Sequence, residues 1–418
     1  MPDTSKVFVD INIDGIDYFV GTMWYSIRKN RGFSSFQYSE EWQANPEAFP
    51  IDPTISPLHS KEVFRSGNKA LFGCFEDAAP DRWGRMLMRR TINDEAKARG
   101  KHPRSLCDID FLLMVDDISR MGAFRFRKDK KYLATPTANS IPPRIKLREL
   151  LEASEKVEEN PEARQLLLAP GSSLGGARPK ATVLSHDMAL NIAKFGSGKD
   201  EYDVILWEAV ALNLASECGL DVPSFEIEKI PISKTNQRTV LVEKRFDRDG
   251  LLRIPYLSTM TLLNASDNNS DNYSYLHIAE KLPEISNQPM KDLRELWRRM
   301  ILGILISNTD NHLRNHGFIH TAAGWKLSPL FDINPNPENR NFSLSIDFAG
   351  NNDIKTALKV AEYFEFPKTE AANTIKSIAK TLQNWKRSAR KFGCTKSEIA
   401  RMEPAFEHTE LEIALSFG

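Results

Sequence analysis

The sequence predicts an α+β protein in which a strand-rich first half precedes a mainly helical second half. Three observations predict this class: a period-2 alternation around an Asp-Gly turn near the N-terminus, further strand patterns between residues 181 and 242, and helical periodicity from about residue 257 onward. At 418 residues the chain is also too long for one ordinary hydrophobic core. We therefore expect two or three domains.

The composition excludes several classes of protein. Lys plus Arg equals Asp plus Glu at 56 each, so no strong overall field draws the chain to nucleic acid or to a membrane. The four cysteines are scattered without a C-x-x-C pair, which favours reduced thiols over disulfides or a zinc site. The N-terminus lacks a signal-peptide pattern, and no apolar run approaches the roughly 18 residues of a membrane span. We expect a cytoplasmic protein that makes no membrane contact.

Residues 1–135 are predicted to form an N-terminal subdomain that contains β-strands. The Asp14-Gly15 pair between two alternating runs is the strongest short hairpin signal available. The other predicted elements are strands at 7–13 and 18–21, a helix that opens at Pro80-Asp81, and a strand at 125–127. The stretch 135–143, rich in proline and small polar residues, is the best linker candidate.

Residues 144–246 and 247–418 are predicted to form the second and third segments. The second should contain, in order, a helix at 147–157, strands at 181–185 and 190–195, a helix at 204–218 that stops at Gly219, and strands at 225–227 and 238–242. The third should be mainly helical, notably at 290–307 and 354–385.

The chemistry is concentrated in residues 307–335. Asp310 is followed five positions later by Asn315, and after two short apolar runs by Asp332. Phosphoryl transfer from a nucleotide needs one carboxylate to position the acceptor hydroxyl, with a carboxamide and a second carboxylate to hold Mg²⁺. Protein kinases place these groups in the same order along the chain. The motif therefore predicts a kinase with Asp310 as the catalytic residue and Asn315 and Asp332 as metal ligands.

A zinc site is the rival interpretation of the same segment. His312, His316 and His320 recur every four residues, and on a helix that spacing binds a metal. Gly317 would interrupt such a helix, however, and the acid of an H-E-x-x-H motif is absent. The kinase interpretation is favoured, and it places His312 in the catalytic loop, where we count it with the nucleotide contacts.

A glycine-rich loop at 171–180 is a candidate phosphate-binding loop. Gly175 and Gly176 would let backbone N–H groups approach phosphate without interference from a side chain. The loop is not a Walker A motif, and taken alone it is equally typical of a surface connection. A phosphate on Ser172 or Ser173 would repel ATP and silence the enzyme, although serine also simply suits turns.

Lys194 is the predicted phosphate contact, because a cation inside an apolar strand needs an anionic partner. The ATP phosphates would serve, together with Glu208 from the following helix. Lys180 and Lys199 compete with Lys194 for this role. Where the chain passes from strands to the helical half, an adenine-binding hinge is predicted, with contacts from Glu243, Lys244, Phe246 and Asp247.

With these motifs in place, the chain resembles the HipA family of bacterial toxin serine/threonine kinases over most of its length. The stretches that carry the resemblance are 75–85, 173–180, 218–223, 245–248, 308–315 and 327–335. The resemblance implies a two-lobed, protein-kinase-like fold with an added N-terminal subdomain, and it implies ATP and Mg²⁺ as cofactors. Ser173 aligns with the family's inactivating autophosphorylation serine. Lys244 stands where some members carry an acid.

The resemblance also implies partners. These are a helix-turn-helix antitoxin of the HipB type, DNA reached only through that antitoxin, and a protein substrate such as an aminoacyl-tRNA synthetase. Two alternatives stay open: a small-molecule kinase of the aminoglycoside or sugar type, and a degenerate kinase that serves as a binding subunit of a repressor complex. The intact set of Lys194, Asp310, Asn315 and Asp332 argues against the second.

Overall fold

The computed structural model describes residues 4–28, 31–65, 69–135, 141–171, 176–198, 200–233 and 237–417. The chain divides into two compact units. The first consists of Met1–Lys199 and Glu228–Leu257, and the second of Asp200–Ile227 and Ser258–Gly418. The three-segment division into 1–135, 144–246 and 247–418 stays a prediction.

An antiparallel sheet opens the first unit, and within the described residues it has six strands in the order β4-β3-β2-β1-β5-β6. The strands are β1 (Ser5–Ile13), β2 (Ile16–Arg28), β3 (Arg31–Tyr38), β4 (Val63–Phe64), β5 (Phe124–Lys128) and β6 (Lys131–Tyr132). Asp14 and Gly15 both have positive φ, and Ile13 pairs with Ile16 across them. They are the two central residues of a tight turn, so the predicted Asp-Gly hairpin is confirmed.

The helices of the first unit are α1 (Glu40–Ala44), α2 (Gly73–Asp77), α3 (Arg82–Ala98), α4 (Asp108–Met114), α5 (Leu147–Lys156) and α6 (Pro161–Gly171). Helix α3 begins directly after its N-cap, Asp81, as the Pro80-Asp81 pair predicts. The predicted helix at 147–157 is α5, and its buried residues include Leu147, Leu150 and Leu151.

A second sheet follows with the strand order β7-β8-β10-β9. Its strands are β7 (Lys180–Leu184), β8 (Leu190–Phe195), β9 (Phe225–Pro231) and β10 (Gln237–Lys244); three short strands come next, β11 (Arg248–Asp249), β12 (Leu252–Arg253) and β13 (Tyr256–Ser258). Leu150, Leu167, Val183, Phe195 and Val240 belong to one buried cluster, so α5 and α6 share a core with this sheet. The four strands predicted between residues 181 and 242 are confirmed.

The second unit is mainly helical. It contains α7 (Val204–Glu217), α8 (Thr259–Leu262), α9 (Tyr275–Ile285), α10 (Pro289–Leu305), the hairpin strands β14 (Gly317–Thr321) and β15 (Gly324–Leu327), then α11 (Ile354–Lys359), α12 (Lys368–Leu382), α13 (Trp385–Lys391), α14 (Lys396–Phe406) and α15 (Thr409–Ser416). Gly219 follows α7 with a φ of 74°, which is the left-handed conformation expected at a helix C-terminus. In the described parts of the chain, no helix is both long and apolar enough to span a membrane.

The prediction that residues 354–385 are mainly helical is confirmed, and the helical structure there is interrupted. The segment contains α11, a 3-10 turn at Ala361–Phe364, α12 and the start of α13. Glu365 takes a φ of 62° and ends the 3-10 turn, and Pro367 is the N-cap of α12. A left-handed residue reverses the local helical path, and a proline disfavours helical backbone at the preceding residue. Apolar periodicity alone does not register either break.

Candidate active site

The segment that carries the acids begins where α10 ends at Leu305. Ser307 has a φ of 54°, which turns the chain away from the helix. Its hydroxyl donates to the carbonyl of Ala405 at 3.0 Å and accepts from Arg340 at 2.7 Å, so this turn is fastened inside the second unit. A 3-10 turn at Leu313–Asn315 and the β14–β15 hairpin follow. The order loop, hairpin, second acid is therefore the predicted one.

Asparagine side chains join the two halves of the motif. The side-chain oxygen of Asn308 accepts a hydrogen bond from the backbone N–H of Asn334 at 3.1 Å. The side-chain amide of Asn336 donates to the hydroxyl of Thr309 at 2.9 Å. These bonds hold the segment with the second acid beside the loop with the first. Sequence reasoning missed them, because partners 26 and 27 positions apart carry no local sign of their pairing.

Asp310 and Asn315 have opposite environments within the loop. Asp310 is exposed, whereas Asn315 is buried. The side-chain amide of Asn315 donates to the backbone carbonyl of Asp310 at 3.0 Å, and its backbone N–H donates to the carbonyl of His312 at 2.9 Å. The loop is thereby closed on itself with the Asp310 carboxylate on its surface, where an acceptor hydroxyl could reach it.

Asp332 has a φ of 57°, a left-handed conformation that is uncommon outside glycine. Such backbone costs of order 1–3 kcal/mol and is concentrated at functional sites. A carboxylate and a carboxamide supply the hard oxygen ligands that Mg²⁺ prefers, so Asp332 and Asn315 fit this ion chemically. Over the described residues, no group of three or more His, Cys, Asp or Glu could hold a metal by itself. Phosphate or water oxygens would have to complete the coordination.

The three histidines do not form a helical metal motif. His312 precedes the 3-10 turn and His320 lies on β14. His316 is fully buried with its ring against Tyr275, and burial, reinforced by Arg299 and His312, lowers its pKa to about 3. Burial also lowers the pKa of His320 to about 4, beside Trp325. These geometries favour the kinase interpretation over the zinc site.

Lys194 lies on β8 of the first unit, where its ammonium group pairs with the carboxylate of Glu243 on β10 at 3.0 Å. The two side chains are only 8% and 4% exposed, so this is a buried ion pair between neighbouring strands. Lys180, a rival for the phosphate contact, lies directly opposite Lys194 on β7 and is also buried. Glu208, the predicted partner of Lys194, is buried on α7 of the other unit, and that pairing stays a prediction.

The end of the glycine-rich loop is held by the start of α3. Gly176 has a φ of 81°, and its N–H donates to the carboxylate of Asp81 at 3.0 Å. Trp83 donates from its backbone N–H to the Gly176 carbonyl at 3.2 Å and from its indole to the Lys180 carbonyl at 3.0 Å. Sequence reasoning read Asp81 only as a helix start. The other predicted loop residues, Ser172, Ser173 and Gly175, fall outside the described residues, as does Lys199, the remaining rival of Lys194.

The residues of the predicted hinge differ in how far they are exposed and in the charges around them. Lys244 is exposed, and Phe246 is half-buried with its ring centroid 6.0 Å from that of Tyr256. The tetrapeptide around Phe246 is a buried ionic cluster, where an isolated Arg-Phe-Asp-Arg would more often lie on the surface. Burial by itself would raise the pKa of Asp247, but Arg245 and Arg248 overcome that effect and lower it to about 2. The nucleotide contacts predicted for these residues stay predictions.

Two sequence families match this chain. Residues 16–126 match the HipA N-terminal domain, and residues 172–386 match the HipA-like C-terminal domain. A curated protein of Haemophilus influenzae, described as a putative kinase, is 26% identical over 193 residues, which are 42% of this chain and 56% of that protein. The chain thus spans little more than half the length of that relative.

A solved structure is similar to almost the whole chain. It is HipA of Shewanella oneidensis MR-1, determined in complex with HipB and operator DNA. The match has a TM-score of 0.65 at 14% identity and covers 97% of this chain and 96% of that one. At this identity the likeness concerns the fold. The predicted α+β, kinase-like fold with a β-containing N-terminal part and a helical C-terminal part is confirmed.

Proposed function

Because this chain belongs to the HipA family, we propose that it is an ATP- and Mg²⁺-dependent protein serine/threonine kinase that acts as the toxin of a toxin–antitoxin pair. One observation carries the proposal. The loop with Asp310 is closed by the side chain of Asn315, and asparagine bonds hold it beside the segment with Asp332. The three groups that phosphoryl transfer requires thus lie on two segments that hydrogen bonds hold together.

Each group has a role that its environment supports. The exposed carboxylate of Asp310 would accept a hydrogen bond from the substrate hydroxyl and orient it toward the γ-phosphate. Asn315 and Asp332 would hold Mg²⁺, which when bound supplies charge neutralisation on the phosphates. Lys194, paired with Glu243, would contact phosphate oxygens, and His312 would lie beside the substrates. Catalysis would consist mainly of positioning and electrostatic stabilisation.

The remaining expectations belong to the same proposal. The partner would be a helix-turn-helix antitoxin of the HipB type, since the structurally similar Shewanella protein was determined with HipB and operator DNA. The substrate would be a protein of translation such as an aminoacyl-tRNA synthetase, and phosphorylation of Ser173 or Ser172 would silence the enzyme. The four cysteines are free thiols, which supports a cytoplasmic location.

Intact-mass measurement after incubation with Mg²⁺-ATP tests the kinase activity. Wild type should gain phosphate, on itself or on an added protein acceptor, whereas Asp310→Asn should gain none while still binding ATP. Asp271→Asn makes the same charge change at an exposed position of the same unit and should behave as wild type. Normal transfer by Asp310→Asn would end the assignment. Transfer to small alcohols but to no protein would favour the small-molecule kinase.

A further inference from the structure

A buried network of ion pairs and hydrogen bonds connects two stretches of the first unit that are far apart in sequence, residues 117–122 and 245–253. At its centre, the Asp247 carboxylate accepts hydrogen bonds from Arg245 at 2.8 and 2.6 Å and from Arg248 at 2.8 Å. The three side chains are 0–2% exposed. We call this set, with the backbone it binds in residues 118–122, the Asp247 network. Because water does not reach it, each bond is both strong and directional.

The guanidinium groups of Arg245 and Arg248 also donate hydrogen bonds to backbone carbonyls. Arg245 donates to the carbonyls of Ser119 at 2.7 Å and Arg120 at 3.2 Å. Arg248 donates to those of Arg120 at 2.6 Å, Gly122 at 2.9 Å and Ile118 at 3.1 Å. These carbonyls belong to the turn that leads into strand β5 of the N-terminal sheet. Hydrogen bonds therefore connect the predicted hinge directly to the turn that precedes β5 of the N-terminal sheet.

A second line of contact reaches Phe246 through Gly122. The N–H of Gly122 donates to the Asp247 carboxylate at 2.8 Å. Gly122 has a φ of 72°, and a side chain there would meet the backbone and Cβ of Tyr256 at 3.3–3.4 Å. Tyr256 in turn is the ring neighbour of Phe246. Phe246 is thus fixed through its two chain neighbours and through the ring it contacts.

We propose that Asp247 is a positioning residue that sets the place of Phe246 and its backbone for the adenine base, with the N-terminal sheet as its anchor. This inference rests on the proposed function, because it takes Phe246 to be part of an adenine site. Asp247 itself need not touch the nucleotide. Its carboxylate satisfies two guanidinium groups and one backbone N–H, and these contacts determine the path of residues 245–248.

The test is base discrimination, measured as the Kd for ATP and for GTP without turnover. Asp247→Asn should weaken ATP binding about tenfold, the scale of one oriented hydrogen bond, and should bring the ATP and GTP constants toward each other. A variant that merely unfolds more easily loses both affinities by one factor and keeps their ratio. The ratio therefore reports positioning.

Asp10→Asn is the matched control. Asp10 is also a buried carboxylate of the first unit, bound by Arg127 at 2.6 Å and by Tyr132 at 3.0 Å, but it lies on β1. The Asp10→Asn variant should have a lower melting temperature, and its ratio of the Kd for ATP to the Kd for GTP should equal that of wild type. If Asp247→Asn does not fold, Arg248→Lys replaces it, since lysine keeps the charge and loses the fork of bonds to the turn.

The outcomes separate the two proposals. Loss of discrimination in Asp247→Asn or Arg248→Lys, with Asp10→Asn unchanged, supports the positioning role. An unchanged ratio in a folded hinge variant, or an equal change in Asp10→Asn, overturns it while the kinase assignment stands. If wild type binds neither nucleotide, the proposed function fails and the inference fails with it.

Discussion

Asn315 closes the loop that carries Asp310 by donating its side-chain amide to the Asp310 carbonyl at 3.0 Å. One side chain thereby has two tasks in the proposed mechanism. Its amide nitrogen fixes the loop conformation, and its carboxamide oxygen is the predicted metal ligand. Asn315 is buried and Asp310 is exposed, so the bond runs from a buried amide to the backbone of a surface residue.

Asn315→Ala should therefore lower the rate of phosphoryl transfer on the order of 10²-fold or more, because a positioned polar group at a charged transition state is lost. Asn272→Ala, at an exposed position of the same unit, should keep the wild-type rate. Time courses of intact mass with Mg²⁺-ATP measure both. A rate within a factor of two of wild type in Asn315→Ala would remove the residue from the mechanism.

Asp332→Gly should have opposite effects on stability and on binding. Glycine adopts the φ of 57° without strain, so the free energy of unfolding should rise by about 1 kcal/mol. The same change removes the proposed metal ligand, so the Mg²⁺ dependence of ATP binding should disappear. Urea unfolding without nucleotide and calorimetric titration at two Mg²⁺ concentrations check the two effects. Retained Mg²⁺ dependence would contradict the metal role.

Lys194→Met should destabilise the first unit by about 3–5 kcal/mol, because it leaves the Glu243 carboxylate buried without this cation. The double variant Lys194→Met with Glu243→Leu should recover much of that loss, since two apolar side chains replace the pair. Neither variant should bind ATP. Urea unfolding of wild type, Lys194→Met, Glu243→Leu and the double variant measures the coupling energy between the two side chains. A double variant no more stable than Lys194→Met would show that the broken ion pair is not the source of the lost stability.

His316 should make stability depend on pH in a defined window. Its pKa is about 3 in the fold and 6.5 in the unfolded chain, so between these values the unfolded state binds the extra proton. Its contribution is present above pH 6.5 and is lost as pH falls toward 3, at up to ~1.4 kcal/mol per pH unit. His316→Phe should flatten that slope in urea unfolding from pH 7 to pH 4.

The matched control for this titration is His59→Phe. His59 is an exposed histidine of the first unit, so its replacement removes one imidazole without emptying a buried site. Its pH dependence of unfolding should follow that of wild type. Parallel curves for wild type and His316→Phe would mean that the buried ring is not the origin of the slope.

Local patterns predicted the elements whose cause is local. The hairpin at Asp14-Gly15 forms because the turn type needs residues that accept positive φ, and α7 ends at Gly219 for the same reason. The sequence also predicted the order of acid, hairpin and acid in residues 310–332, because this order is set by the sequence of the chain and not by its packing. The helical content predicted for residues 354–385 is confirmed, but the sequence did not predict the interruption at Glu365, which takes the left-handed conformation.

By itself, the sequence determined the class of fold, the family and the residue types available for phosphoryl transfer, because these depend on identity and spacing. Only the tertiary structure decided which groups meet. The pairing of Lys194 with Glu243 follows from the β8–β10 register, and the bond from Gly176 to Asp81 joins residues far apart in the chain. Asp247 likewise accepts the Gly122 N–H from a residue 125 positions away. Contacts of this kind are set by packing and strand register, which no local pattern of residues encodes.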